Sequence, residues 1–104
     1  MFYNRHVRYN SLGDMIASRG YGYLNTNDYL DDMKIDYSMD FYNDDHVNAL
    51  GAEKYTTFLE QYLSENYDLP DHRGEPGFET WDEAWGLFIE HSEVKKQTVL
   101  LYMQ

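Results

Sequence analysis

The 104-residue chain contains no cysteine. This absence excludes disulfide bonds, cysteine-ligated zinc and a cysteine nucleophile, and it leaves the redox compartment undetermined. Long apolar runs are also lacking: none approaches the roughly 20 residues that span a bilayer, and residues 1–8 have no apolar signal-peptide core. From the sequence alone we expect a soluble chain with no membrane segment and no indicated compartment.

Basic residues are scarce. Lys and Arg number 8 against 19 Asp and Glu, which gives a formal net charge of -11. A surface with this charge repels phosphate backbones, so we expect no nucleic-acid partner. The length allows one modest core, and residues 1–104 are therefore expected to form a single domain or a piece of one.

Apolar residues at three- and four-residue spacing predict three amphipathic helices. Gly20 is placed to stop the first helix, and Asn48 is placed to cap the second. A capping box of Thr80 and Glu83 is expected to open the third. The predicted helices are Asn4–Arg19, Asn48–Tyr67 with Glu53 and Lys54 on its solvent side, and Thr80 to about His91.

Two other stretches favour extended structure. Tyr21–Asn25 is short, aromatic and bounded by glycine and asparagine, which is typical of a buried strand. Thr98–Met103 is apolar and β-prone, so we expect it to pair as a strand or to bind a neighbouring subunit. Asn27–Lys34 favours a short helical turn, and 68–77, which holds both prolines, a loop. The predicted fold class is therefore α/β, mostly helical with one or two strands.

The candidate chemistry centres on His46, in a carboxylate-rich loop directly before the second helix. Imidazole exchanges protons near neutral pH, and neighbouring carboxylates or amides can orient it or stabilise its charged form. The alternative interpretation is an acidic turn that caps a helix, with His46 as an ordinary surface group. The pattern leaves open which of Asp40, Asn43, Asp44 and Asp45 faces the ring.

The flanks of His46 carry a longer pattern. It consists of Asp40-Phe41-Tyr42-Asn43, His46, Asn48, Gly51-Ala52 and Lys54-Tyr55-Thr56, then Tyr62-Leu63 and Asn66-Tyr67-Asp68-Leu69-Pro70-Asp71-His72-Arg73. This pattern resembles the last conserved block of the SGNH (GDSL-type) hydrolases. The resemblance covers about residues 9–73, so that 74–104 would be a helical extension of a partial domain.

The resemblance implies the C-terminal part of a flavodoxin-like, three-layer α/β/α SGNH fold. It also implies an ester hydrolase or acyltransferase without a cofactor, whose full-length parent acts on acyl esters, often O-acetyl esters of carbohydrates. In that family the histidine of this block is the general base of a serine triad, and the resemblance implies this role for His46.

Two departures from the family pattern affect the site. Where the family carries an aspartate three residues before the histidine, this chain has Asn43, which can accept a hydrogen bond from the ring but brings no charge. Asp40, Asp44 and Asp45 are all close enough in sequence to substitute for it, and the candidate catalytic residues are His46, Asn43 and Asp40.

The second departure is the missing nucleophile. The family's Gly-Asp-Ser block is absent, and no Gly-x-Ser-x-Gly elbow is present. Loss of a triad serine typically costs about a millionfold in turnover. We therefore expect the chain alone to be nearly inert as an esterase. No convincing replacement nucleophile is present: Ser11, Ser64 and Ser92 are expected at helical positions, and Ser38 lies in the loop before Asp40.

The aspartates before the second helix invite a calcium hypothesis. Asp36, Asp40 and Asp44 are four residues apart, however, whereas an EF-hand loop places its ligands at alternate positions around a glycine. We therefore predict no metal site. An acidic, metal-dependent structural module remains only as a third functional hypothesis.

We expect structural rather than catalytic or binding roles for His72 and for the tryptophan pair of the third helix. His72 lies between Asp71 and Arg73, which we expect to pair with each other in a structural loop. Trp81 and Trp85 share a helix face that we expect to anchor onto a core, with stacking on a sugar ring as the alternative.

One alternative to an active hydrolase, and one expectation about the isolated chain, follow from these gaps. The chain could be a non-catalytic binding or interaction module that keeps the family's structural element, a hypothesis that Asn43 favours. Its amphipathic helices also lack a sheet to cover. We therefore expect the isolated chain to be a homo-oligomer or to be partly molten.

Overall fold

The computed structural model describes residues 2–102, and their side chains from residue 6 onward. Within them lie three α-helices, α1 (Phe2–Ser18), α2 (Ala49–Asn66) and α3 (Glu79–Tyr102), and one short 3-10 helix, Thr26–Tyr29. The chain divides into two compact units, one up to Asp32 and the other from Met33 onward. The first unit holds α1 and the 3-10 helix, and the second holds α2 and α3.

The predicted α/β fold is wrong. Within residues 2–102 no strand or sheet forms, and β pairing is confined to one isolated antiparallel bridge between Phe41 and Val47. A flavodoxin-like three-layer arrangement needs a parallel sheet between its helices, which this part of the chain does not supply. A β-prone segment becomes a strand only when a neighbour satisfies its backbone groups, so local propensity was not sufficient here.

The segment predicted as the first strand, Tyr21–Asn25, has no regular structure. Tyr23 packs its ring against Gly13 of α1, where an added Cβ would lie 2.6 Å from Tyr23 Cε1. The Tyr23 hydroxyl donates to the Tyr9 carbonyl at 2.9 Å. An aromatic residue that we expected inside a sheet thus fastens the chain to its own preceding helix.

The first helix and its stop signal are confirmed. α1 ends at Ser18, and Gly20 follows with a φ of +82°. The Gly20 N–H donates to the Ala17 carbonyl at 3.0 Å and the Tyr21 N–H to the Ile16 carbonyl at 3.3 Å, which are the two bonds of a Schellman motif. Glycine adopts this left-handed conformation without strain, so the helix ends at the predicted point.

The predicted turn over Asn27–Lys34 is present as the 3-10 helix followed by turns. Asn25 caps the 3-10 helix, since its side-chain oxygen accepts the Asn27 N–H at 3.1 Å. Lys34 has a φ of +56°.

The second predicted helix is confirmed as α2, with Asn48 as its N-cap. The third is present, but its predicted capping box is wrong. Because the N–H groups of Trp81 and Asp82 donate to the Phe78 carbonyl, the helix is already under way at Thr80. The Glu79 carboxylate instead accepts the Gly77 N–H at 3.0 Å, and the backbone hydrogen bonds from Glu79 and Gly77 lower the pKa of Glu79.

The predicted C-terminal strand is also wrong as far as the structure describes it. Residues 98–102 continue α3, and Met103 lies outside the described residues. The Thr98 hydroxyl donates to the Val94 carbonyl at 3.0 Å, which satisfies it within the helix. Helix propagation from the preceding turns outweighs the modest β preference of this segment.

α2 and α3 contact each other in the second unit. Lys96 near the end of α3 contacts Glu53 near the start of α2 at 3.0 Å, and its own helix neighbour Glu93 at 2.9 Å. The hydrogen bonds from Glu93 and Glu53 raise the pKa of Lys96. Lys96 thus links the last part of α3 to the first part of α2.

Few apolar side chains are buried. Among residues 6–102, Met33 is the one large hydrophobic residue that is buried, at 6% exposed. Trp81, Trp85 and Phe88 are 75%, 53% and 57% exposed. The tryptophan pair therefore does not anchor α3 onto a core, contrary to our expectation. In the part of the chain described, every helix is too short or too polar to traverse a lipid bilayer.

Candidate functional site

The loop of residues 40–48, called here the His46 loop, is a closed turn at the start of α2. The Phe41–Val47 bridge joins its two arms. The Tyr42 N–H donates to the His46 carbonyl at 3.1 Å, and the Asn48 N–H donates to the Asp40 carbonyl at 2.9 Å. These bonds fix both ends of the loop, so the position of His46 is set by backbone pairing rather than by its own packing.

Asn43 organises the tip of the loop. Its side-chain oxygen accepts the backbone N–H groups of Asp45 and His46 at 3.0 and 2.8 Å. The same oxygen lies 3.0 Å from Nδ1 of the His46 ring. Asn43 is thus placed to orient the ring.

This arrangement determines the tautomer of His46. Two backbone N–H groups donate to one Asn43 atom, so that atom is the carbonyl oxygen and not the amide nitrogen. A carbonyl oxygen only accepts, and Nδ1 must therefore be the nitrogen that carries the proton. In the neutral ring Nε2 then keeps its lone pair and is available as a proton acceptor.

The His46 ring is accessible as well as oriented. The residue is exposed, and the Tyr42 ring stacks beside it with centroids 5.9 Å apart and an interplanar angle of 15°. One face of the ring is thus supported by Tyr42, while the residue as a whole stays exposed to solvent. A base in this position could act on a group brought to it from outside.

Asp40 has a structural role in the loop rather than a contact with the ring. It is 1% exposed, and its Oδ2 accepts the Lys54 ammonium and the Asp36 N–H, both at 2.7 Å. Lys54 also donates to the Lys34 carbonyl at 2.8 Å. The prediction that Lys54 lies on the solvent side of α2 is therefore wrong, because it crosses to neutralise a buried carboxylate.

Asn48 and Gly51 also hold the His46 loop against the start of α2. The Asn48 oxygen accepts the N–H groups of Leu50 and Gly51 at 2.9 and 3.1 Å, and its amide donates to the Met39 carbonyl at 2.6 Å. A Cβ on Gly51 would overlap the Asp40 carbonyl oxygen and would lie 3.0 Å from Val47 Cβ. Glycine is thus required where the first turn of α2 passes under the loop.

The other aspartates of this region, Asp36, Asp44 and Asp45, lie in or next to the His46 loop. Asp44 and Asp45 are exposed at the loop tip. Asp36 closes a turn, since its Oδ1 accepts the Ser38 hydroxyl at 2.6 Å and the Ser38 N–H at 2.9 Å, and these bonds lower the pKa of Asp36. Within residues 2–102 no group of three or more His, Asp or Glu side chains is arranged to hold a metal ion.

Two serines near α2 are engaged elsewhere. The Ser38 hydroxyl donates to Asp36, and the Ser64 hydroxyl donates to the Glu60 carbonyl at 2.8 Å. Ser11 and Ser92 lie within α1 and α3, Ser11 exposed and Ser92 half-buried. The described contacts therefore provide a base without a paired nucleophile.

A second oriented imidazole lies in the loop before α3. His72 Nδ1 is 2.9 Å from Glu75 Oε2, and the ring stacks on Phe78 with centroids 4.6 Å apart. Asp71 pairs with Arg73 at 2.6 Å as predicted, and that contact lowers the pKa of Asp71 to about 2. The sequence analysis missed Glu75, although its position three residues from His72 repeats the spacing of Asn43 and His46.

Compared with models of protein families, with curated proteins and with solved structures, this chain matches none.

Proposed function

We propose that this chain supplies the base of an ester hydrolase or acyltransferase of the SGNH type, with His46 as general base and Asn43 as the residue that orients it. One observation supports this most strongly: the Asn43 oxygen is fixed by two backbone donors and lies 3.0 Å from His46 Nδ1. The resemblance of residues 40–73 gives the reaction class.

The chemistry requires Nε2 to take a proton from a serine hydroxyl as that oxygen attacks the ester carbonyl. The imidazolium then returns the proton to the departing alkoxide. An aspartate partner would stabilise the imidazolium by its charge, whereas Asn43 supplies orientation alone. We therefore expect a competent but slower base.

Asn43 in place of the triad aspartate should lower the rate less than the same replacement does in serine proteases. There, replacing the triad aspartate with asparagine lowers kcat about ten-thousandfold because the ring adopts the wrong tautomer. Here the backbone N–H groups of Asp45 and His46 hold the carbonyl oxygen toward the ring. The correct tautomer is retained, and only the charge is lost.

The nucleophilic serine would come from outside the described residues. Ser38 and Ser64 donate their hydroxyls to other groups, so the chain alone should remain nearly inert. The net charge of -11 disfavours anionic substrates. A neutral acyl ester, such as an acetylated carbohydrate, fits both the charge and the resemblance.

The test combines the chain with a polypeptide that carries the Gly-Asp-Ser block and measures p-nitrophenyl acetate cleavage. Activity should appear only in the mixture, and His46→Ala should lower it at least about a thousandfold. His72→Ala is the matched control, since His72 is also an exposed loop histidine with an acceptor at Nδ1. A mixture that is equally active with His46→Ala would refute the proposal.

A non-catalytic binding module is the second candidate. The observation that favours it is the exposed apolar surface of α3, including Trp81, Leu87 and Leu101 at 75%, 59% and 73% exposure. In that case His46→Ala would leave binding unchanged, whereas substitutions on α3 would abolish it.

A further inference from the structure

Tyr42 and His46 lie opposite each other across the turn that closes the His46 loop. The Phe41–Val47 bridge makes residues 42 and 46 the next pair along the two arms of the loop. The Tyr42 N–H donates to the His46 carbonyl at 3.1 Å. Side chains at paired positions of two antiparallel arms are close neighbours, so the stack of Tyr42 on the imidazole follows from the backbone pairing.

The two rings are nearly parallel. Their centroids are 5.9 Å apart and their planes differ by 15°, which is within the range of offset-stacked aromatic pairs. Phe41, the neighbour of Tyr42, stacks on Tyr37 instead, with centroids 5.0 Å apart. The imidazole therefore has the Asn43 amide at Nδ1 and the Tyr42 ring beside it.

A base that takes up a proton becomes a cation, and the proton stays on the base only if that cation is stabilised. An aspartate at position 43 would stabilise it by charge, whereas Asn43 is neutral. The face of an aromatic ring attracts a cation that lies within about 6 Å of the ring centroid. The Tyr42 ring is within this distance of His46.

We propose that Tyr42 stabilises the protonated form of His46 and so supplies part of what an aspartate at position 43 would give. Tyr42 is a positioning residue, because it acts through the imidazole and not on a substrate. The contact is exposed and close to the limiting distance, so its effect is at the lower end for such pairs. The ratio of protonated to neutral His46 is raised about two- to threefold.

The charged groups around the loop do not replace this contact. Asp40 is buried and is bound to Lys54. Asp44 and Asp45 are exposed at the loop tip, where water and salt screen their charges. The N-terminus of α2 acts in the opposite direction, because its partial positive charge disfavours a nearby cation. Tyr42 contacts the imidazole directly, so its effect persists at high salt.

The catalytic consequence of this contact rests on the proposed function. In the mixture with the polypeptide that carries the Gly-Asp-Ser block, Tyr42→Leu should lower kcat about two- to threefold and leave KM unchanged, since the imidazolium forms only during the reaction. Tyr42→Phe keeps the aromatic ring and should retain kcat. A loss of kcat in Tyr42→Phe equal to that in Tyr42→Leu would contradict a role for the ring face.

The deciding experiment uses the chain alone and is therefore independent of the serine-bearing polypeptide. Ring ¹H–¹⁵N NMR measures the protonated-to-neutral ratio of His46 at a pH of about 6.5, where an unperturbed histidine is half protonated. Tyr42→Leu should lower this ratio about two- to threefold, and Tyr42→Phe should preserve it. The difference should persist in about 1 M salt, where charges more than about 3 Å apart are screened.

Tyr37→Leu is the matched control, since Tyr37 is 65% exposed and stacks on Phe41 rather than on His46. It should leave the His46 ratio unchanged. Equal ratios in Tyr42→Leu and the unmodified chain, or an equal fall in Tyr37→Leu, would overturn the proposal.

Discussion

The ion pair between Lys54 and Asp40 should be the main stabilising contact beneath the His46 loop, and Lys54→Met tests this. The substitution keeps the length and apolar stem of the side chain while removing the charge. Lys54 would lose its 2.7 Å bond to Asp40 and its 2.8 Å bond to the Lys34 carbonyl. Asp40, at 1% exposed, would keep the Asp36 N–H as its remaining described donor.

The expected cost is about 2 kcal/mol of unfolding free energy. Removing one partner of a fully buried pair costs about 3–5 kcal/mol, and a charge-assisted hydrogen bond contributes about 1.5–3 kcal/mol. The Lys54 side chain is 34% exposed, so solvent already screens the pair and the lower part of this range applies. A loss of this size lowers Tm by roughly 8–16 °C in a domain of 60–100 residues.

The assay is urea unfolding followed by circular dichroism, as a double-mutant cycle with Asp40→Asn. The two residues should couple by about 1–3 kcal/mol, because they share one contact. Lys34→Met is the matched control, since the Lys34 side chain is exposed. If Lys54→Met and Lys34→Met unfold at the same urea concentration, the ion pair does not hold the loop.

Three further changes test the support of the His46 loop and the ion pair in the loop before α3. Asn48→Ala should cost about 1–3 kcal/mol in urea unfolding, since it removes a helix cap and leaves the Met39 carbonyl without its 2.6 Å donor; an unchanged midpoint would contradict this. Gly51→Ala should also cost about 1–3 kcal/mol because its Cβ overlaps the Asp40 carbonyl, whereas Gly86→Ala, which meets open space, should be neutral or stabilising. Asp71 should titrate near pH 2 by NMR because Arg73 favours its charged form; its stabilising contribution is present above the unfolded pKa near 4 and is lost as the pH falls through about 2. Arg73→Gln should return that titration toward its ordinary range, and a titration unaffected by the substitution would exclude the pairing.

Local signals predicted the helices well. The Gly20 N–H bonds to the Ala17 carbonyl, and the capping oxygen of Asn48 bonds to Leu50 and Gly51. These partners are at most three positions away, so the stop and the cap are visible in a short window of sequence. The strand predictions failed because a strand depends on a partner far along the chain. Tyr21–Asn25 and Thr98–Met103 have the right composition, but within the described residues no neighbouring strand exists to pair with them.

The candidate site was predictable only in part. The His46 loop and the role of Asn43 as a possible acceptor follow from residues that are close in sequence. Four polar groups within six positions look equivalent there, and only the backbone donors to Asn43 distinguish it. The Lys54–Asp40 pair spans fourteen residues, and helical periodicity placed Lys54 on the solvent side.

The most direct test of the central claim is the tautomer of His46, measured by long-range ¹H–¹⁵N NMR on the neutral ring. The proton should be on Nδ1 and the lone pair on Nε2 in the unmodified chain, and Asn43→Ala should remove this preference while leaving His72 unchanged. A proton on Nε2 in the unmodified chain, or a spectrum that Asn43→Ala does not alter, would contradict the assignment of His46 as an oriented base.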